Sequence, residues 1–242
     1  MSRSERSARP AVHGFWEGTG ATKTFTHPLD RALLERYVPR DARILDYGCG
    51  YGRLTAELAR LGYRDVHGVD PSRALIERGR NEHPELPLVR FDALPLPFED
   101  GSFDAALLFV ILGVVTGDAD QKALLSELAR LVRPSGVLYL SDVPLQNDEH
   151  HVRRYEEASA ADPLRPYGVF STPDGGLFRH HRPEELRELL HAHGFDIVEE
   201  RSTATATLHR GETTRSVQVI ARRTDAADAA DAADVSGTPP RP

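Results

Sequence analysis

The segment Phe103 to Leu112, FDAALLFVIL, constrains the fold more than any other stretch: Asp104 apart, every position in it is apolar. A strand with one wet face alternates apolar and polar residues, so a run without alternation needs cover on both faces. That is the place of a central strand in a parallel sheet sandwiched by helices.

The flanking chain has the matching rhythm. ARILDYG, Ala42 to Gly48, reads as a buried strand, and Leu54, Leu58, Ala59 and Leu61 then recur at helical spacing until Gly62. DVHGVD, Asp65 to Asp70, is a second strand, followed by a helix with Pro71 at its start and Leu75 and Ile76 facing inward. PLVRFDA, Pro87 to Ala93, is a third strand. After the apolar fourth strand, DQKALLSELARLV places Leu124, Leu125, Leu128 and Leu131 on one helical side, RPSG ends that helix, and Gly136 to Val143 forms a fifth strand. Strand and helix alternating in this way predict right-handed crossovers and a doubly wound α/β sheet, with the ligand crevice at the carboxyl ends of the strands.

The alternation lapses from Pro144 to Pro183, too long a stretch for an ordinary connection, which predicts a cap or lid. A helix over PEELRELLHAHG follows, and two alternating strands around Gly211 and Glu212 predict an antiparallel hairpin. Thr224 to Pro242 repeats a small acidic triplet and ends in prolines; without large side chains it is predicted to be disordered, and residues 1–10 flexible. The expected folded body is 11–223, with a roofing segment at 11–40 and the cap at 144–183.

Composition narrows the function. With 40% apolar residues in 242, the chain can bury the core of one domain, and its net charge of −7 argues against phosphate-driven binding to nucleic acid. Cys49 is the only cysteine, so no intrachain disulfide can form. MSRSERSARP lacks the apolar core of a secretion signal, and no run approaches the ~20 apolar residues of a membrane span. These features predict a soluble cytoplasmic protein, monomer or homodimer, whose partner is a small molecule.

The loop ILDYGCGYGRLT, Ile44 to Thr55, decides between ligands. A dinucleotide fingerprint wants glycine at its first, third and sixth positions, and counting from Gly48 gives Gly50 and then Arg53. Asp46, just before the turn, would repel a pyrophosphate but accept from a cationic amino group. Asp70 ends the second strand, where a carboxylate can take both hydroxyls of a ribose. Asp92, followed by Ala93, offers an acceptor suited to an exocyclic amine. A cationic amino acid, a ribose and an adenine together describe S-adenosylmethionine.

These residues resemble the class I S-adenosylmethionine-dependent methyltransferases, in particular the small-molecule branch with a type 11 methyltransferase domain. The likeness rests on LDYGCGYG, GVDPS, FDALPLPFEDGSFDAALLFVIL and ELARLVRPSGVLYLSD in order, with RPEELRELLHAHGFDIVE resembling the family's later helix and strand. It implies a Rossmann-like seven-stranded sheet, mostly parallel, whose last strand is antiparallel. It carries Asp46, Gly48, Cys49 and Gly50 onto the methionine end of the cofactor, Asp70 and Pro71 onto the ribose, Asp92 and Ala93 onto the adenine, and Phe109 and Val110 onto the backbone beside the sulfonium. Phe109 replaces the family's usual short or polar residue, and Gly113 its frequent histidine.

The activity implied is methyl transfer by in-line displacement to a small organic acceptor, as in secondary metabolism. A hydroxyl acceptor needs a base, and histidine has the suitable pKa. His27 lies in the roofing segment beside Phe15, Trp16 and Phe25, and His181 lies in the cap among aromatics and arginines; both are candidate bases or acceptor-orienting groups. The pairs His150 with His151 and His180 with His181 are sequence neighbours, which point in different directions on a helix, so no metal site is expected. An NAD-dependent oxidoreductase, a macromolecule methyltransferase and a non-catalytic cofactor-binding partner are the alternatives. FVILGVV lacks the Pro-Pro-aromatic signature of nucleic-acid amine methyltransferases.

Overall fold

A computed structural model describes residues 14–206 and 213–224. The expectations for residues 1–10, for the turn at Gly211 and Glu212 and for the tail after Thr224 lie outside the described residues.

Seven strands form one sheet in the order β3-β2-β1-β4-β5-β9-β8. They are β1 Arg43–Tyr47, β2 Asp65–Asp70, β3 Leu88–Arg90, β4 Phe103–Phe109, β5 Val132–Asp142, β8 Phe195–Ala206 and β9 Thr213–Arg223. β1 to β5 pair in parallel, and β9 runs antiparallel between β5 and β8. This is the expected Rossmann-like α/β sheet with its last strand reversed. The chain winds outward from β1 to β3 and then restarts at β4 on the other side of β1, so the strand order reverses between β1 and β4 and opens a crevice there.

The apolar strands bury both faces as their composition requires. Leu45, Ala106 and Leu108 pack with Leu124, Leu125 and Leu128 of the helix Asp118–Leu131. Their strand neighbours Ile44, Ala105 and Leu107 turn to the other face, against Leu33 and Leu34 of the helix Arg31–Tyr37 and Leu54 and Leu58 of the helix Arg53–Arg60. Each fully buried leucine contributes about 1.5–3 kcal/mol by leaving water.

Helix starts follow local capping chemistry. Asp30 accepts from Leu33 N, Ser72 from Leu75 N and Asp148 from His151 N. Ser72 therefore caps the helix Arg73–Glu82, and Pro71 precedes the cap instead of opening the first turn. Two strand limits also differ from expectation. β3 stops at Arg90, so Asp92 and Ala93 lie beyond the sheet, and β5 starts at Val132, taking in RPSG with Ser135 at φ +60°.

The stretch between β5 and the helix Pro183–His191 has structure of its own. The helix Glu149–Ala161 packs against a two-stranded antiparallel ribbon, β6 Val169–Ser171 and β7 Leu177–Arg179. Tyr155 of that helix is buried against Phe170 and His180, with ring centroids 5.8 and 5.9 Å away.

Candidate active site

The crevice between β1 and β4 opens into a cavity of about 1010 Å³ that reaches from the glycine loop to the cap. Its floor is made by strand ends. Gly48 has φ +73°, and a Cβ there would stand 2.2 Å from Ile111 Cδ1, so only glycine fits. Gly48 N and Cys49 N both donate to Val69 O, at 2.8 and 3.1 Å, which folds the loop against the end of β2.

Two acids are buried in this floor. Asp70 accepts from Gly50 N at 2.9 Å through one oxygen and from Ser72 N at 2.8 Å through the other, which fixes the carboxylate plane and leaves each oxygen a lone pair for a ligand. Burial raises its pKa to about 6 against the lowering effect of those backbone donors. Asp46 accepts the Thr55 hydroxyl at 2.7 Å, and burial lifts it too to about 6 although Thr55 and Arg53 pull it down. Arg53 lines the same space, donates to His27 O at 2.6 Å, and keeps a buried Nε without a partner among the described residues.

These groups fit S-adenosylmethionine. A buried carboxylate and an unsatisfied guanidinium N–H stand on one side of the loop, as the ammonium and carboxylate of its methionine end require, and the fixed Asp70 stands across Gly50 for two hydroxyls. Pro71, Asp92 and Ala93 continue the lining, with Asp92 80% exposed and paired to Arg90. Phe109 and Val110 close the end of β4. Val110 N donates to Ser141 O at 2.7 Å while its φ is +62°, a strained conformation for a β-branched residue, of the kind held in place at ligand sites. A Cβ on Gly113 would lie 2.9 Å from Asp142 Oδ1, which explains why no histidine stands there.

The roof is stitched to this floor by hydrogen bonds. Ser72 Oγ donates to Trp16 O at 2.9 Å, Phe25 N to Tyr51 Oη at 3.1 Å, and Arg78 to Lys23 O at 2.8 Å. Lys23 in turn pairs with Asp174 at the tip of the cap ribbon. Phe170 and Phe178 stack at 6.2 Å, Trp16 meets Phe178 edge-on at 6.4 Å, and all three rings line the cavity.

The predicted site residues separate on this framework. Asp46, Gly48, Cys49, Asp70, Pro71, Asp92, Ala93, Phe109 and Val110 line the cavity, whereas Gly50 contributes its N–H to Asp70 from behind and has Phe25 over its α-carbon. Cys49 is buried, and burial followed by the charges of Asp46 and Asp70 raises its thiol pKa well above the ordinary range. His27 lines the cavity with Nδ1 buried and unpartnered, and burial plus Arg53 brings its pKa down to about 4. His181 does not line it. Its Nε2 sits 3.0–3.1 Å from the Gln121 side-chain amide, and its backbone bridges Pro144, so the ring faces inward from the cap's base.

The neighbouring His180 holds the position expected of His181. It lines the cavity, and its Nδ1 lies 2.6 Å from the Tyr155 hydroxyl. Tyr155 Oη also accepts from Gln146 N at 3.3 Å, and in the tautomer in which its hydroxyl donates to His180 Nδ1 the ring N–H of His180 is on Nε2. Burial first, then nearby His151 and Arg154, lowers His180 to about 3 and keeps it neutral. His151 and Arg154, one turn apart on the cap helix, also line the cavity. The sequence offers Arg154 only as one of the cap arginines that, with the aromatics, suit a flat acceptor, gives His180 and His151 no site role, and presents Arg53 only as a missing glycine. Asp148 three residues before His151 was the available signal for His151. Among the described residues no His, Cys, Asp and Glu group could hold a metal ion, and no helix is long and apolar enough to cross a membrane.

Known proteins share this arrangement. A methyltransferase-domain family matches residues 21–200. O-methyltransferase rstn1 of Aspergillus nomiae is 29% identical over 201 residues, covering 77% of this chain and 80% of that protein. An O-methyltransferase of Pyrenophora dematioidea is 32% identical over 200 residues, covering 77% of this chain and 68% of its own length. The solved structure of an S-adenosylmethionine-dependent methyltransferase from Methanosarcina mazei superposes with a TM-score of 0.75 at 25% identity, covering 82% of this chain and 99% of that one. With a family match across most of its length and a cavity floor chemically suited to the cofactor, the chain belongs to the methyltransferase-domain family and is an S-adenosylmethionine-dependent methyltransferase.

Proposed function

We propose that the protein O-methylates a flat, aromatic small molecule bearing a hydroxyl group. One observation carries this reading: beyond the acids of the floor, the same cavity continues into a chamber walled by Trp16, Phe170 and Phe178 and edged by His151, Arg154 and His180. Stacked rings favour a planar acceptor. The relatives named O-methyltransferases support oxygen as the atom methylated.

When bound, S-adenosylmethionine supplies an electrophilic methyl group on a sulfonium. The chain's part is binding, orientation and exclusion of water. On this reading Asp46 takes the ammonium of the methionine end and Arg53 its carboxylate, Asp70 takes the ribose hydroxyls, Asp92 and Ala93 border the adenine, and the strained Val110 turn presents backbone toward the sulfur. His180, neutral and with its N–H on Nε2, donates to an acceptor oxygen and fixes its angle. Arg154 lies over the Phe170 ring at 4.7 Å and contacts His150 Nε2 at 2.7 Å; no carboxylate pairs with it among the described residues, so it suits an anionic substituent on the acceptor. His27, held near 4 beside Arg53, is a weak base at neutral pH and is better placed to order the roof over the cofactor.

The test is incubation of the full chain with S-adenosylmethionine and a panel of catechols, hydroxybenzoates and matched arylamines, read by S-adenosylhomocysteine release and product mass. Hydroxybenzoates and catechols are expected to gain one methyl. Transfer to arylamines alone would overturn the oxygen assignment.

A further inference from the structure

The cap helix Glu149–Ala161 starts with an acid that does two things at once. Asp148 Oδ1 accepts from His151 N at 3.1 Å, which is the helix cap, and its Oδ2 lies 2.7 Å from His151 Nδ1. A carboxylate accepts and cannot donate when ionised, so the proton between them belongs to Nδ1 of the neutral ring. Nε2 of His151 then carries the lone pair, and it has no hydrogen-bond partner among the described residues. His180, 6.0 Å away centroid to centroid, is its reverse in the tautomer in which Tyr155 donates to Nδ1 and Nε2 bears the proton. Two histidines lining one chamber thus present it with one acceptor and one donor.

We infer that His151 is the catalytic base that removes the acceptor's hydroxyl proton, with Asp148 as its positioning residue. This rests on the O-methylation reading. The acceptor O–H bond breaks with its electron pair left on oxygen, the proton adds to His151 Nε2, and the imidazolium so formed faces the Asp148 carboxylate. The oxygen, now carrying an extra lone pair and held by the His180 N–H, is the nucleophile. Asp148 is 54% exposed while His151 is 16% exposed, so the couple runs from solvent to the cavity wall and gives the proton a way out.

The surrounding charges agree with that task. On its own helix His151 faces Asp148, His150, Arg154 and Tyr155, and from the cap ribbon it faces His180. Asp148 is the carboxylate in contact with it. Replacing Asp148 by Asn keeps a cap oxygen for His151 N but offers an N–H to Nδ1, which turns the ring to the tautomer with its proton on Nε2. The cap and the catalytic role can therefore be separated.

The experiment uses full-length protein labelled with ¹⁵N-histidine and two probe acceptors, catechol and benzenethiol. Long-range ¹H–¹⁵N spectra of the neutral ring at pH 8 are expected to show His151 protonated on Nδ1, and protonated on Nε2 in D148N; an Nε2–H tautomer in the wild type overturns the proposal. In turnover, H151A is expected to lower kcat/KM for catechol by ~10²–10⁴-fold. Benzenethiol, already a thiolate at pH 8, should lose at least tenfold less. Equal loss for both probes overturns the proposal. D148N should follow H151A on catechol while its unfolding midpoint stays near that of the wild type, and an unchanged catechol rate in D148N removes Asp148 from the couple. If the wild type methylates neither probe, the O-methylation reading falls, and the ring tautomer alone judges the couple.

Discussion

The floor and the roof of the cavity are built by different means. In the floor, the groups proposed to meet the cofactor are set by backbone: Asp70 by two peptide N–H donors, Gly48 by a positive φ that nothing larger could occupy, and Val110 by a single backbone hydrogen bond to Ser141 O. In the roof the groups are set by side chains on one another, with Phe170 under Arg154, His180 on Tyr155 and His151 on Asp148. A backbone-built site tolerates almost no substitution and holds a fixed ligand; a side-chain-built one can be recomposed while the sheet below is unchanged.

The sharpest way to break that contrast is to strike the floor. Gly48→Val forces a β-branched residue into left-handed backbone and onto Ile111, and Asp70→Ala strands two buried N–H donors, costing about 1–3 kcal/mol each. Both should weaken S-adenosylhomocysteine binding by ~100-fold or more in calorimetry, about 2.7 kcal/mol. Affinity within threefold of the wild type would mean that the floor does not hold the cofactor.

Phe170→Ala sharpens the contrast from the other side. The ring is 3% exposed, and truncations of this kind cost about 3–5 kcal/mol where the cavity left behind cannot collapse. The loss should be felt in the cap, as faster amide exchange over 149–180 and a raised acceptor KM, with S-adenosylhomocysteine affinity within about threefold. A parallel fall in cofactor affinity would show that roof and floor are one cooperative unit.

How far each wall was legible from the sequence follows from the same difference. Asp46 and Asp70 need only a strand end and a glycine turn, both of which are local patterns, and the structure puts both acids in the cavity. The long apolar strands likewise announced a sheet covered on both faces. Asp92 was placed at a strand end that lies two residues earlier, at Arg90, because pairing with β2 stops there. In the cap the period was unknown, and on an extended segment a slip of one residue turns the other face inward. That slip separates the expected His181 from the observed His180. His151 needed the helix start at Asp148 to be recognised, and Arg154 needed a ring beneath it, which is tertiary information.

Tyr155→Phe is a smaller perturbation of the roof. It removes the hydroxyl between Gln146 N and His180 Nδ1, costing about 1 kcal/mol in urea unfolding. His180 loses what holds its proton on Nε2, so the Nε2–H signal in ¹⁵N-histidine spectra should weaken. Retention of a single Nε2–H tautomer in Tyr155→Phe would show that something other than Tyr155 orders the ring.

The smallest expected effect separates the walls by pH. Burial lifts Asp46 and Asp70 from 3.8 to about 6, with Arg53 and Thr55 beside the first and backbone N–H groups, Asp46 and Glu17 around the second. Between those values the folded protein binds more protons than the unfolded chain, so the contribution of these two acids to stability is greatest at the acid end and falls as pH rises to about 6. A cationic amino group favours the ionised Asp46, so binding expels its proton and affinity should climb by at most about tenfold per pH unit up to 6, then level off. From pH 5 to 7 His27 and His180, lowered to about 4 and 3, are neutral in the folded protein and add no slope to cofactor affinity. The rise in unfolding midpoint given by a fixed S-adenosylhomocysteine concentration should therefore grow between pH 5 and 7 and lose its slope in Asp46→Asn. A flat increment across that range in the wild type would mean that both acids are already ionised at pH 5, and that burial has not set the electrostatics of the floor.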